Sequence, residues 1–296
     1  MRTAQTARRL GWILAALSAM TLQLAMTGQA AAQGSDLATL EKRVAKVEQV
    51  AAVGAGRTIY QAECAPCHGL RGDGKGIAAR RFHQQPTDFT RGVYTLQSTL
   101  SDTPAADLPL DADLERSVRQ GMSSTEMPPF QGVLSGAGIR AVVQYIKTFS
   151  PRFSDLNARP PEAALAKLPA TRPFPPSAES VAAGKAVYQS QSCTDCHGDN
   201  GSGNSDEKND WGVPVRLVDF RVGWFKSGPS DFDLYRSIWT GMRSTSMHPY
   251  GGTVTEEQTW QLVDYIRSLE VKRTGVGKLL RLLLVDRPSG FDYRAN

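Results

Sequence analysis

The four cysteines of this 296-residue chain all lie in two motifs of the form CxxCH. In such a motif the two thiols add to the vinyl groups of a haem, and the adjoining histidine coordinates the haem iron. Both motifs continue into a glycine-rich stretch, at residues 69–76 and 198–203. The spacing therefore predicts two covalently attached haems of the c type. The residues concerned are Cys64, Cys67 and His68 in the first motif and Cys193, Cys196 and His197 in the second.

Two other uses of paired cysteines compete with this interpretation. Two CxxC pairs could supply four thiolates to a structural zinc ion. A CxxC pair at the start of a helix could also act as a thioredoxin-like redox pair. However, a zinc site does not require a histidine directly after each second cysteine, and a redox pair does not explain two copies. Haem attachment accounts for both features.

The methionines are candidates for the second axial ligand of each iron. An iron that only exchanges electrons is held by two protein ligands, which leaves no open position for a substrate. Beyond residue 32 the chain has four methionines, and they form the same pair in each repeat. Met127 and Met247 stand in proline-bearing loops, where an extended backbone can aim a side chain inward. We therefore predict that these two residues ligate the iron.

The other methionines and histidines provide alternatives to this assignment. Met122 and Met242 directly follow a helix-ending glycine, a position typical of core packing. His248 adjoins Met247 and could replace it as a ligand, but its counterpart in the first repeat is a proline. His83 is the other candidate and falls on a predicted loop near the first motif. We retain histidine and methionine at both irons, a pair that raises the haem potential relative to two histidines.

The two motifs belong to a duplicated segment. Residues 56–60, of sequence GRTIY, precede the first motif as residues 184–188, of sequence GKAVY, precede the second. After each motif come an Asp-Phe pair, a helical segment, a Gly-Met pair and a closing segment that contains a tyrosine, always in this order. Because the order is identical in both copies, the sequence indicates two whole domains rather than two isolated sites.

The residue pattern of each repeat predicts helices. A short helix around residues 56–62 leads into the first motif. Asp113–Gln120 and Asp233–Thr240 are predicted as middle helices, with aspartate as the N-cap and glycine just beyond the end. Ser135–Phe149 and Thr255–Leu269 are predicted as closing helices from their apolar spacing. Since strand-like alternation is scarce, the predicted fold class is all-α.

The predicted domain order includes export and linker segments. The N-terminal segment is typical of a signal peptide cleaved before Gln33, because it contains three arginines, an apolar run and three alanines at residues 30–32. A membrane anchor is the alternative interpretation of this segment. No other segment is long enough to span a bilayer. Seven prolines within residues 151–177 predict an extended tether. The predicted segments are a signal peptide (1–32), an N-terminal amphipathic helix (33–53), domain 1 (54–150), a Pro-rich linker (151–177), domain 2 (178–272) and a C-terminal tail (273–296).

Charge and periodicity limit the kinds of partner. The net charge is +5, and it falls to about +2 without the three arginines of the signal segment. This is too small to indicate nucleic acid or an anionic membrane surface as a partner. Leu37, Leu40, Val44 and Val47 have heptad-like spacing. Because two heptads are too few for a coiled coil, we expect this helix to pack on its own domain; oligomerisation is the alternative.

Taken together, these features resemble the class I c-type cytochromes, and specifically their tandem di-haem members. The resemblance covers residues 54–150 and 178–270 and rests on the Gly/aromatic helix before CxxCH, the methionine loop, and the closing helix with its tyrosine. It implies two class I cytochrome c domains in tandem. It also implies that the first and last helices cross at a small residue, Gly56 or Gly184, against which Tyr145 or Tyr265 packs.

We expect a periplasmic di-haem electron carrier that is not an enzyme. Its expected partners are redox proteins, such as a respiratory oxidoreductase or a terminal oxidase or reductase, and it could act as a subunit of a larger complex. The alternative is a di-haem enzyme of the peroxidase or thiosulfate dehydrogenase type. A peroxidase needs an iron with a displaceable ligand, and the dehydrogenase would be expected to use a spare cysteine. An insertion in the first repeat, residues 100–110, is a candidate docking or inter-domain surface.

Overall fold

In the computed structural model, the chain divides into two compact units, residues 1–51 and 52–296. The predicted signal peptide, the predicted tail and His83 lie outside the described residues. No helix within the described ranges combines the length and apolar character needed to cross a membrane. The structure describes residues 37, 39–82, 84–100, 108–156, 160, 162, 165–169, 171–203 and 206–271.

The first unit is represented by a helix over residues 39–51. Its heptad-spaced side chains are exposed: Leu40 by 53%, Val44 by 56% and Val47 by 68%. The predicted N-terminal helix is therefore present, and its packing on domain 1 stays a prediction.

The second unit contains both repeats and is helical, as predicted. The first repeat begins with helical residues 52–59. It continues with a π-helical turn (Tyr60–Cys64), a motif helix (Ala65–His68), two 3-10 turns (Ile77–Arg81 and Phe89–Arg91), a middle helix (Asp111–Gln120), a closing helix (Gly136–Lys147) and a last 3-10 turn (Pro151–Phe153).

The second repeat follows the same order. Its elements are a first helix (Ala178–Ser190), a motif helix (Cys193–His197), a 3-10 turn (Phe220–Val222), a middle helix (Asp231–Thr240) and a closing helix (Glu256–Ser268). Between its motif and the 3-10 turn, Glu207–Lys208 pairs antiparallel with Pro214–Val215. This two-stranded hairpin was not predicted, and two-residue strands are too short to produce a recognisable alternation.

The middle helices begin two residues earlier than predicted. Their N-caps are Leu110 and Ser230, so that Asp113 and Asp233 occupy the third helical position. Each aspartate reaches back, and its Oδ2 accepts the N-cap backbone N–H at 3.1 and 3.2 Å. An aspartate therefore stabilises each helix start from inside the helix, and the prediction that it is the N-cap is wrong.

The closing helices begin where they were predicted, with Ser135 and Thr255 as their N-caps. Ser135 Oγ accepts the N–H of Gly138 at 3.1 Å, and Thr255 Oγ1 accepts that of Gln258 at 3.1 Å. In the second helix, Gln258 Oε1 also accepts the N–H of Thr255 at 2.9 Å. These bonds satisfy donors that the helix itself cannot pair.

The first and closing helices of each repeat cross at a glycine, as the resemblance implied. A Cβ atom at Gly56 would overlap the carbonyl oxygen of Ala141, and one at Gly184 would overlap that of Gln261. At both crossings the same Cβ would lie 3.0 Å from the tyrosine Cβ, at Tyr145 or Tyr265. Only glycine permits this approach, which joins the two ends of each repeat.

Each repeat has its own hydrophobic core. Burial of these side chains stabilises each domain by about 1.5–3 kcal/mol for every large aliphatic or aromatic residue. The first core includes Tyr60, Phe89, Leu114, Ile139, Val142 and Val143. The second includes Tyr188, Phe220, Leu234, Tyr235, Trp260 and Val263.

The described part of the linker packs on both repeats. Ala166 N–H donates to Ser98 O at 3.0 Å in the first repeat. In the second repeat, the guanidinium of Arg172 pairs with the carboxylates of Asp231 and Asp264. The proline-rich segment is therefore fixed along part of its length, where the sequence predicted only a tether.

The two repeats also contact each other directly. Thr240 Oγ1 lies 2.9 Å from Gln97 O in a buried contact, and its single proton is shared between this carbonyl and Arg236 O at 2.8 Å. Arg243 N–H donates to Thr95 O at 3.1 Å. The segment of the first repeat that makes these contacts immediately precedes the predicted insertion, whose residues 101–107 lie outside the described part of the chain.

Candidate haem sites

The second motif opens onto a cavity that gathers its predicted ligands. Cys193, Cys196 and His197 line this cavity together with Met242 and Met247. The first repeat also contributes to its lining, through Gln84 and Thr95. Most of the wall is apolar and includes Val218, Phe220, Phe225, Leu234, Ile238 and Leu262.

In the first repeat, the motif and its methionine lie against one hydrophobic core. Cys64 and Met127 are both partly buried and pack on the same group of core side chains. His68 stacks on Phe89, a member of that core, with ring centroids 4.5 Å apart and an interplanar angle of 18°. The first motif therefore shares its apolar surroundings with the predicted ligand Met127.

The imidazole of His68 has the tautomer and the neutral state that ligation of a metal requires. Its Nδ1 lies 3.3 Å from Thr87 O. Because a carbonyl oxygen only accepts, this contact requires the proton on Nδ1 and leaves the Nε2 lone pair available. Burial lowers the pKa of His68 to about 4, although the bond with Thr87 opposes this shift. The ring is consequently neutral at neutral pH, as metal ligation requires.

His197 has similar surroundings but lacks the carbonyl bond. Its ring stacks on Phe220 at 4.6 Å and 27°. Burial lowers the pKa of His197 to about 4; Lys226 adds to this shift and Glu207 opposes it. Its Nδ1 is buried with no hydrogen-bond partner among the described residues. This ring is therefore also neutral at neutral pH, with the backbone carbonyl contact missing.

The repeated Asp-Phe pair positions the rings that stack on the histidines. Asp88 Oδ1 accepts the N–H of Thr90 at 3.1 Å, and Asp219 Oδ1 accepts that of Arg221 at 3.0 Å. These bonds cap the 3-10 turns that carry Phe89 and Phe220. The Asp-Phe pair that recurs after each motif in the sequence is the signal from which these stacking rings could have been predicted.

A tyrosine in each repeat fixes the residue after the histidine. Tyr60 OH donates to Gly69 O at 2.7 Å, and Tyr188 OH donates to Gly198 O at 2.8 Å. Both glycines have a positive φ, 79° and 73°, which favours glycine over any residue with a side chain. The chain thus turns sharply after each CxxCH.

The two methionine loops have the same internal bonds. Met122 N–H donates to Met127 O at 3.1 Å, and Met242 N–H donates to Met247 O at 2.8 Å. In the second loop, Thr245 Oγ1 donates to Met242 O at 2.7 Å and accepts the N–H of Met247 at 3.2 Å. Thr125 makes the equivalent bonds in the first loop. Each methionine is therefore held on a braced loop.

The two alternative ligands of the second repeat, His248 and Met242, lie in different surroundings. His248 is exposed, and its ring lies 4.6 Å from that of Tyr250. Met242, which the sequence assigned to core packing, lines the same cavity as Met247. Of the two, Met247 packs against the core of the second repeat. The structure thus brings both methionines of this repeat to the cavity.

Burial disfavours the thiolate form of the motif cysteines. None of the four forms a disulfide. Burial is the largest cause of the raised pKa values of Cys64, about 12, and Cys193, about 11, and it also raises those of Cys67 and Cys196. Zinc binding and fast disulfide exchange both need thiolates. Moreover, no cluster of three or more potential metal ligands occurs within the described residues, so the zinc alternative has no support there.

The donor set fits a c-type haem. Two thiols in one motif can form the thioether bonds, a neutral imidazole follows directly, and a methionine sulfur lies in the same cavity at the second motif. The surrounding wall is mostly apolar, which suits a porphyrin. The crossed helices, the two motifs and the braced loops together define a c-type cytochrome with two domains in tandem.

The comparisons with known proteins agree with this class. The family model described as cytochrome c oxidase, cbb3-type, subunit III matches residues 51–146 and 179–266. The chain therefore belongs to this family of class I c-type cytochromes, whose members carry covalently bound haem c and act in electron transfer.

A solved structure is also similar to this chain. It belongs to the Kuenenia stuttgartiensis reducing HAO-like protein complex Kustc0457/Kustc0458. The two chains are 32% identical with a TM-score of 0.66, and the match covers 73% of this chain and 96% of that chain. A search of curated protein sequences found no match.

Proposed function

We propose that this protein is a periplasmic electron carrier that binds two haems. In this proposal, His68 and Met127 hold the first iron, and His197 and Met247 hold the second. The main support is the second cavity, which brings Cys193, Cys196, His197 and Met247 together. The same motif and the same braced loop recur in the first repeat, which supports a second haem with the same ligands.

The protein's own groups favour electron transfer over catalysis. A bound haem supplies one-electron chemistry at its iron. The neutral imidazoles and the methionine sulfurs would occupy both axial positions, so that no position is left for a substrate. The apolar wall of the second cavity disfavours water, and the braced loops hold the sulfurs in place, which would limit reorganisation when an electron arrives or leaves. We therefore propose that the protein is not an enzyme.

Partners and location complete the proposal. The similar solved chain belongs to a protein complex, which supports a redox protein as the partner and a subunit role in a larger complex. The signal-like sequence of residues 1–32 supports export to the periplasm. Mass spectrometry of the protein from its native host tests export, because the proposal requires a mature chain that begins at Gln33.

The ligands are tested by paired methionine variants. In each repeat, one variant removes the proposed ligand (Met127→Ala or Met247→Ala) and its control removes the neighbouring methionine (Met122→Ala or Met242→Ala). The readout is the weak red charge-transfer band of the ferric protein, which reports thioether ligation. Each ligand variant should remove about half of this band and lower one midpoint potential.

The controls decide the assignment within each loop. Met122→Ala and Met242→Ala should leave the band intact, because their side chains are not the proposed ligands. A band that disappears in Met242→Ala and persists in Met247→Ala would reverse the assignment in the second repeat. Cyanide binding by the resting wild-type protein would instead favour the peroxidase alternative.

A further inference from the structure

Lys226 is a buried cation in the wall of the second cavity. Only 4% of its surface is exposed, and it lines the cavity together with His197. Its Nζ donates to Arg216 O at 2.6 Å. In the part of the chain that the structure describes, no carboxylate lies within ion-pair distance of this ammonium group. One of its three donors is thus used, and no ion pair with a described residue balances its charge; the carboxylate of Glu207 lines another part of the same cavity.

A second polar group lies next to it. Ser227 follows directly, is 3% exposed and lines the same cavity. Its Oγ is buried without a hydrogen-bond partner among the described residues. Arg216, whose carbonyl accepts from Lys226, also belongs to the lining. A buried ammonium and a buried hydroxyl therefore form one polar corner of a mostly apolar cavity.

This corner has the chemistry of a carboxylate site. A buried charge is costly unless it is paired and hydrogen-bonded, and an ammonium beside a hydroxyl can donate two bonds to one carboxylate. The ligand that the cavity fits, a haem, carries its carboxylates on two propionate side chains. We propose that Lys226, assisted by Ser227, binds a propionate carboxylate of the haem attached at Cys193 and Cys196.

The first repeat lacks this pair of groups. Lys226 stands seven residues after Asp219, and Thr95 stands seven residues after Asp88, its counterpart. The residue that corresponds to Ser227 is Leu96.

A cation near a haem favours the reduced iron because the ferric form carries one more positive charge. Its bonds to a propionate also offset the negative charge of that carboxylate. Lys226 therefore distinguishes two otherwise similar sites and fixes the potential of the second haem.

The test is a redox titration of the full-length holoprotein with Lys226→Met. Loss of the cation leaves the propionate uncompensated, so the midpoint potential of the second haem should fall. We expect at least a tenfold change in its redox equilibrium constant, which equals about 59 mV for one electron. The first haem is an internal control whose potential should not move. Lys185→Met, which removes an exposed lysine of the same repeat, should move neither potential.

A vibrational readout separates a bond to the propionate from a general charge effect. The propionate bending modes in the resonance Raman spectrum respond to hydrogen bonding of the carboxylate. One such mode should shift in Lys226→Met and, by a smaller amount, in Ser227→Ala, while Lys185→Met leaves the spectrum unchanged. Unchanged bending modes in both Lys226→Met and Ser227→Ala would overturn the proposal, even if the potential falls.

A third variant covers the case in which the Lys226→Met protein does not incorporate haem. If Lys226→Met does not incorporate haem, Lys226→Gln keeps a polar side chain of similar length and removes only the charge. It must lower the potential and shift the mode, and the absence of both changes overturns the proposal. The inference rests on the proposed function only for a haem at the second motif. If a haem assay finds two haems per chain while the potential and the bending mode are unchanged, only the role of Lys226 is contradicted. If the assay finds one haem per chain, the proposed function is contradicted.

Discussion

At the scale of single residues, the aromatic rings that stack on the histidines explain how each imidazole keeps its orientation. Phe89 and Phe220 lie parallel or nearly parallel to His68 and His197, within 4.6 Å. Both rings are also core residues, so the histidines are fixed from one side by the core itself.

Replacement of the stacking ring should destabilise the protein. Phe220→Leu removes the stacking contact and leaves space in the core, so we expect a loss of about 1–3 kcal/mol in the free energy of unfolding. Chemical denaturation followed by haem absorbance measures this loss. Phe232→Leu, at a 36% exposed position of the middle helix, is the control and should change stability by less than about 0.5 kcal/mol. Equal effects of the two variants would contradict the role of the stack.

The threonine in each methionine loop should determine how firmly the sulfur is held. Thr245→Val keeps the shape of the side chain but removes both of its bonds in the loop. We expect the proposed ligand Met247 to be displaced more easily, with about a fivefold to thirtyfold gain in imidazole affinity for a loss of about 1–2 kcal/mol. Optical titration with imidazole measures this change. Thr253→Val, outside the loop, serves as the control; an unchanged affinity in Thr245→Val would show that the bonds do not restrain Met247.

At the scale of elements, the helix crossings depend on glycine. Gly56→Ala and Gly184→Ala each place a methyl group on a backbone carbonyl of the closing helix, so each should cost about 1–3 kcal/mol or more. Thermal unfolding measures the loss. Gly54→Ala is a matched control two residues away, where a Cβ meets nothing within 4 Å, and it should stabilise the helix by up to about 1 kcal/mol. A stable Gly56→Ala protein would contradict the crossing.

The sequence was a good guide to these elements because their signals are local. The closing helices have caps and apolar spacing within a single turn, and their predicted starts are correct. The middle helices were placed two residues late, because an aspartate at the third helical position and one at the N-cap leave the same local pattern. The hairpin at Glu207–Lys208 was missed, since strands of two residues have no periodicity.

At the scale of the whole molecule, the two repeats form one compact unit. The buried bond from Thr240 to Gln97 and the partly fixed linker connect them. The sequence showed a duplication but not this contact, because the partners are 143 residues apart and no local pattern relates them. The role of Gln84 and Thr95 in lining the second cavity was missed for the same reason.

The contact between the repeats should make unfolding cooperative. We expect one calorimetric transition for both repeats of the holoprotein. Thr240→Val removes the donor to Gln97 O and leaves a buried carbonyl without this partner, so it should cost about 1–3 kcal/mol and separate the transition into two. Thr253→Val is again the control. Two transitions in the wild-type protein would show that the repeats are independent.

We propose that histidine and methionine close both irons to exogenous ligands. Low-temperature electron paramagnetic resonance of the purified ferric protein, before and after addition of cyanide, tests it most directly. We expect two low-spin haems per chain, with signals of histidine–methionine ligation that cyanide does not change. A high-spin signal, a single haem, or conversion of either signal by cyanide would contradict it.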